Sequence, residues 1–158
     1  MKSKYLGMGY GVWGMVMLIG ILTSCASFKA TAPNNFAEYS DGGKKFRAIS
    51  SDGVLYRVSE YEQKSEASIE FWREAFLLKM KNSNYKQEDS LNISIDGKPA
   101  IGYIFSFATN TGSDLYLVAA VPVKNKMLVV EATAESEKFN ARKADILEAV
   151  SKIGLFPL

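Results

Sequence analysis

The chain has 158 residues, with 19 Lys and Arg against 17 Asp and Glu, no histidine and one cysteine, Cys25. Without histidine there can be no Ser-His-Asp or Cys-His catalytic set, and with a single thiol the usual transition-metal ligands and any internal disulfide are missing too. The small positive excess resides in Lys2 and Lys4; beyond them basic and acidic residues balance, so nothing drives general binding to nucleic acid phosphates.

Lys2 and Lys4 open the chain without a neighbouring acid, and Leu6 to Leu22 carries no charge, which is the layout of a secretory signal peptide. A membrane-spanning helix needs about 20 apolar residues. This run is shorter and interrupted by Gly7, Gly9, Gly11, Gly14 and Gly20. Ordinary cleavage would leave Cys25 unexplained. The stretch Leu22-Thr23-Ser24-Cys25 resembles the lipobox of bacterial lipoproteins, an apolar residue and two small ones before an invariant cysteine. The resemblance implies diacylglyceryl transfer to the Cys25 thiol, cleavage before it and acylation of the new amine. Thiolate chemistry fits the role, because it is the strong nucleophile among side chains. Two or three acyl chains, at roughly 0.8 kcal/mol per buried methylene, anchor durably where one does so only marginally. Ala26 follows, where Asp holds enterobacterial lipoproteins in the inner membrane, so the resemblance points to the outer membrane.

Cleavage leaves a chain long enough for one domain and too short for two. Residues 25–43 read as the lipidated terminus and a tether, extending at about 3.3 Å per residue up to some 60 Å. Phe36 and Tyr39 have the alternative of packing on the domain, which would end the linker near Asn35. Residues 44–158 then form the domain. Lys44 to Ser50 and Val54 to Glu60 alternate around Ser51-Asp52-Gly53, an Asp-Gly turn signal, and predict a hairpin. Phe46, Ala48, Val54, Tyr56 and Val58 would share its buried face, with Lys45, Arg47 and Arg57 outward.

Ser65 to about Asn82 predicts a helix, with Ser65 as cap, Glu66 and Glu70 early, Lys79 and Lys81 late, and Ile69, Trp72, Phe76 and Met80 at helical spacing. From Tyr85 the period becomes two. Strands are expected over Tyr85–Ile95, Pro99–Thr109, Asp114–Val123 and Met127–Ala134, joined by short turns that suit antiparallel neighbours. Two of them, around Ile101-Gly102-Tyr103-Ile104-Phe105 and Leu115-Tyr116-Leu117-Val118, are apolar on both faces and demand cover on both. A last helix from Ser136 or Asn140, with Ile146, Leu147, Val150 and Ile153, supplies the second cover. The expectation is an α+β fold, an α/β/α sandwich of order ββα-ββββ-α, with a six-stranded mainly antiparallel sheet and one helix on each face. The early hairpin before the long helix, the Ile95-Asp96-Gly97-Lys98-Pro99-Ala100 turn and the apolar tail after the last helix resemble the PsbP-like fold. The resemblance implies a non-catalytic binding or assembly protein and carries over no functional residue.

No Gly-x-Ser-x-Gly elbow, Walker loop or dinucleotide fingerprint occurs, and Asp-rich calcium spacing is absent, so the sequence offers no catalytic, cofactor or metal residues. Glu131 stands out in the apolar run Leu128-Val129-Val130. It is either buried with a raised pKa, paired with Asp114 or Glu135 as a carboxylate couple, or solvated or lysine-paired near a strand edge. Tyr56, Trp72, Phe76, Tyr103, Phe105, Phe107 and Tyr116 either line an apolar pocket or fill the core. Asn92-Ile93-Ser94 matches a glycosylation acceptor but fits a plain alternating strand. The expected partners are the membrane, through lipid on Cys25, and an envelope protein, in preference to a small apolar ligand.

Overall fold

A computed structural model of the chain describes residues 27–39, 45–64 and 66–156. Leu22, Thr23, Ser24 and Cys25 lie outside the described residues, as does Ser65. The elements follow the order β1 (Phe28–Lys29), β2 (Phe36–Glu38), β3 (Lys45–Ser50), β4 (Leu55–Glu62), α1 (Ile69–Asn82), β5 (Lys86–Ser90), β6 (Ile93–Ile95), β7 (Lys98–Thr109), β8 (Gly112–Val123), β9 (Lys126–Glu135), α2 (Ser136–Ser151) and β10 (Gly154–Leu155).

The main sheet is antiparallel and runs β2-β3-β4-β9-β8-β7-β5, with β6 also paired to β7. Its centre is β4, β9, β8 and β7, and the side chains of β9 show why two covers are needed. Leu128, Val130, Ala132 and Ala134 join one buried cluster with Phe139, Ile146 and Val150 of α2. Met127 and Val129, on the opposite face, join another with Met80 of α1. The period of two therefore separates two cores across one sheet. The hairpin faces agree with the pattern: Phe46, Ala48, Val54, Tyr56 and Val58 are all buried on the α2 side.

The sheet has eight strands rather than the expected six. One addition is β2, which lies on β3 with Phe36 opposite Ser50. It is made possible by a turn in which Phe36 N–H donates to Pro33 O (3.1 Å) and Asn35 adopts φ 64°, a left-handed position that Asn tolerates. The other arises because the expected strand Tyr85–Ile95 is two strands, β5 and β6. The chain bends at Leu91, whose N–H still donates to Gly102 O (2.9 Å), and lays Leu91 and Ile93 over Gly102. A Cβ at Gly102 would meet Leu91 Cβ and Ile93 Cδ1 at 2.9 Å, so the bend depends on the missing side chain.

Two further differences concern ends. Helix α1 begins at Ile69, because the hydroxyl of Ser68 accepts from Phe71 N–H (3.2 Å) and caps it there. Residues 27–39, expected within the tether, lie on the domain instead. Phe28 is buried and stands opposite Leu155 of β10, a two-stranded pairing that the apolar tail makes possible.

Gly102→Ala is expected to destabilise the domain by about 1–3 kcal/mol, the usual range for overpacking. Urea unfolding of the purified domain measures it; a midpoint equal to wild type would show that the bend does not need the glycine.

Candidate functional site

The α1 face of the sheet is only partly covered. Helix α1 packs Trp72, Phe76, Leu77 and Met80 against Ile101, Tyr103, Phe105, Val118 and Ala120 of β7 and β8. It does not reach across β4 and β3, where Leu55, Tyr61 and Ile49 remain exposed on that face, with Tyr39 nearby. A solvent-open cleft of about 640 Å³ occupies the margin between helix and sheet. Trp72, Phe76, Lys79, Met80 and Ser83 form the helix wall, Tyr61 to Lys64 the opposite rim, and Met127, Val129, Glu131, Tyr85 and Tyr116 the floor. Phe71 and Leu78, 56% and 61% exposed, continue apolar surface over the outside of the helix.

At the inner end of the floor stands a polar triad. Arg57 of β4 lies directly opposite Glu131 of β9. Its Nε and Nη2 donate to Glu131 Oε2 at 2.8 and 2.5 Å, and Tyr116 Oη donates to Glu131 Oε1 at 2.7 Å. The carboxylate is 17% exposed, while Arg57 is 46% exposed and so remains hydrated on one side. Hydrogen bonding to Glu131 holds the Arg57 guanidinium firmly protonated. Burial, then the Glu131 charge and hydrogen bond, pushes the Tyr116 phenol far above its ordinary value. A second hollow of about 340 Å³ is lined by Tyr39, Arg47, Leu55, Thr133 and all three triad residues, of which Glu131 and Tyr116 also line the cleft. The triad is thus a ridge between two hollows on one face.

This arrangement settles where the residues singled out from the sequence go. Glu131 is paired, but with an arginine and a tyrosine rather than a lysine or another acid. Asp114 and Glu135 stand opposite each other beyond it, and Glu135 is ion-paired with Lys138 (2.5 Å). With both oxygens engaged, Glu131 fixes its neighbours in place and is not a free base. The aromatic set divides. Tyr56 belongs to the α2 core, edge-on to Phe46, and burial alone raises its phenol. Tyr103 and Phe105 fill the α1 core, Phe107 lies against Tyr85 (ring centroids 5.0 Å), and only Trp72, Phe76 and Tyr116 line the cleft. Sequence reading missed Arg57 and Tyr61 as site residues. Their signal lay in the pairing of β4 with β9, which no local pattern announces. Trp72 Nε1 and Gln63 Oε1, in side chains that line the cleft, are themselves buried and have no hydrogen-bond partner within the protein. Among the described residues no three Asp, Glu, His or Cys side chains converge as a metal site, and no helix is long and apolar enough to cross a membrane.

Sheet and helices together define an α+β fold of the PsbP-like kind, and solved structures share it. No protein-family profile and no curated sequence matches the chain. In three dimensions it is similar to PA94 of Pseudomonas aeruginosa, a protein of unknown function (TM-score 0.60, 12% identity, 78% of this chain and 99% of that one). It is similar also to LpqN of Mycobacterium tuberculosis, involved in cell envelope biogenesis (TM-score 0.56, 10% identity, 82% and 83%). The cyanobacterial PsbP of Synechocystis aligns with a TM-score of 0.58 at 9% identity, over 82% of this chain and 87% of that one. At these identities the likeness is one of fold.

Tyr56 and Tyr116 are held neutral in the fold, their phenols raised above the ordinary value. Their contribution to stability is complete below the unfolded tyrosine pKa of about 10 and is lost as pH rises beyond it. Absorbance titration near 295 nm should show the exposed tyrosines ionising first and these two only together with loss of the fold. Tyr116→Phe should lose less stability than wild type over the same alkaline range; an unchanged profile would mean that the Tyr116 phenol does not differ between folded and unfolded states.

Proposed function

We propose that the chain is a lipoprotein of the bacterial envelope, anchored through lipid on Cys25 after cleavage at Leu22-Thr23-Ser24-Cys25. Its domain is a non-enzymatic binding module that takes a polypeptide segment of an envelope partner in the cleft beside α1. The observation that carries the second part is an open cleft of about 640 Å³, walled by Trp72, Phe76 and Met80 and flanked by exposed apolar side chains, a groove rather than an enclosed cavity. Apolar surface at Tyr61, Phe71 and Leu78 continues the wall beyond the cleft, as a protein contact requires. With Glu131 held by Arg57, Lys64 and Lys79 outnumber Glu62 among the lining charges and favour a segment that carries an acidic residue beside its apolar anchors. The involvement of LpqN in envelope biogenesis is consistent with this role. No cofactor, metal or nucleic acid enters the proposal, and the outer membrane is its expected location.

The volume favours one second reading, a carrier of a small apolar ligand, since ligand pockets commonly span about 300–1,000 Å³. Selection of displayed peptides on the purified domain separates the two. Peptides with an aromatic or branched anchor next to an acid are expected to bind at micromolar Kd and to weaken about tenfold, or roughly 1.4 kcal/mol, in Tyr61→Ala and Lys79→Glu. Both side chains are exposed, so the fold should survive. Tight binding of a fluorescent fatty acid that no peptide displaces would replace the present reading by the carrier.

The anchor has its own test. Cys25→Ala should accumulate as an unprocessed precursor without incorporated palmitate; normal labelling of that variant would overturn lipidation at this residue.

A further inference from the structure

We infer that the domain does not hang free of the membrane but rests one end of its sheet directly on phospholipid headgroups. The inference builds on the lipid at Cys25 proposed above and adds where the domain must then lie.

The described chain is fastened from Ser27 onward. Ser27 N–H donates to Glu60 Oε2 (3.3 Å), and Ser27 O accepts from Phe156 N–H (2.9 Å). Ser27 and Phe28 are both buried, and Phe28 and Lys29 pair with Leu155 and Gly154. Glu60, its side chain 1% exposed, is neutralised by Lys126 at 2.7 Å, so the contact with Ser27 adds a hydrogen bond to an ion pair that the core already holds. Only Ala26 separates Cys25 from this docked residue. Two extended residues reach at most about 7 Å. While β1 stays paired with β10, the long tether read from the sequence does not exist, and acyl chains inserted in a bilayer bring Ser27 to the headgroup level.

The same sheet end gathers the turn before Lys98, the turn at Lys124 and Asn125, and the chain beyond α2. Glu62 lies opposite Lys126 and Val123 opposite Lys126, Ile95 opposite Lys98, and Leu155 N–H donates to Asp96 Oδ2 (3.3 Å). Lys29, Lys98 and Lys152 are exposed there, Lys152 in an ion pair with Glu148 and the acids Glu62 and Asp96 exposed among them, and Phe156 is half exposed at the same end. Lysines around an exposed aromatic ring suit an anionic headgroup surface, where the cations meet phosphate and the ring the interface.

The orientation has a consequence for the cleft. Its outer rim, Glu62, Gln63 and Lys64, belongs to the membrane end, and its floor runs from Met127 to Glu131. That is four residues of strand, about 13 Å at the usual rise. A partner segment in the cleft would therefore be bound close to the bilayer surface.

Because Cys25 is the only cysteine and would be blocked by lipid, single cysteines introduced elsewhere can carry a fluorophore. Asn125→Cys marks the proposed membrane end. Thr111→Cys marks the opposite end of β8, about 40 Å away for a 12-residue strand. Each full-length lipoprotein, processed in cells and purified, would be reconstituted into vesicles of phosphatidylethanolamine and phosphatidylglycerol containing a headgroup-nitroxide lipid. The expected result is several-fold stronger quenching at residue 125 than at 111. Coflotation with the vesicles but equal quenching at both positions, or stronger quenching at 111, overturns the docked orientation and leaves the anchor standing. Failure to cofloat, with no palmitate on the protein, overturns the anchor and the orientation together.

Discussion

The structure depends on one constraint: β7, β8 and β9 are apolar on both faces. Val118 and Ala120 look toward α1 while Leu117, Ala119 and Val121 look toward α2, and all five are buried. A sheet of this kind cannot stand with one face in water, so each helix is required by the strands beneath it. The two covers are unequal. Helix α2 carries Phe139, Ile146 and Val150 into a core that spans the sheet from β3 to β6, whereas Met80 alone of α1 is buried. The deficit of cover on the α1 face is where the cleft lies.

That deficit explains the polar triad. Position 131 is the place on β9 where the α1-facing row leaves the shelter of the helix. Val129, one step earlier, is buried, and Thr133, one step later, is half buried. A carboxylate here is partly desolvated, which is tolerable because Arg57 from the neighbouring strand and Tyr116 from the other side take both its oxygens. The ridge they make is rigid, since each partner sits on a different central strand. A surface built on strands in this way holds its geometry better than one built on loops.

How much of this was legible followed from the range of the physics involved. The hairpin faces and the long helix were legible because they rest on periodicity within a few residues. The α2-facing set from Phe46 to Val58 was read correctly for that reason. The break between β5 and β6 was not, because the residue that permits it, Gly102, lies on the partner strand and acts by the absence of a side chain. The helix start moved from Ser65 to Ser68 because two serines offer the same cap chemistry and only the geometry of the entering chain chooses between them. Arg57 was placed correctly as facing away from the α2 core, yet its role beside Glu131 needed the register of strands more than seventy residues apart.

The largest departure lies at the N-terminus and shows why composition misleads for short flanking segments. Residues 27 to 35 are, Phe28 apart, small and polar enough to pass for a linker, and nothing in them has the period of a strand longer than two or three residues. They are held by features that belong to other parts of the chain: a buried acid at position 60, already neutralised, and a free edge at Gly154 and Leu155. Two-residue pairings are marginal alone. This one is supported because Phe28 enters the α2 core, so that the backbone pairing and the side-chain burial reinforce each other. A segment that reads as a spacer thereby becomes part of the domain, fastened at the sheet end where Glu62 and Lys126 also lie.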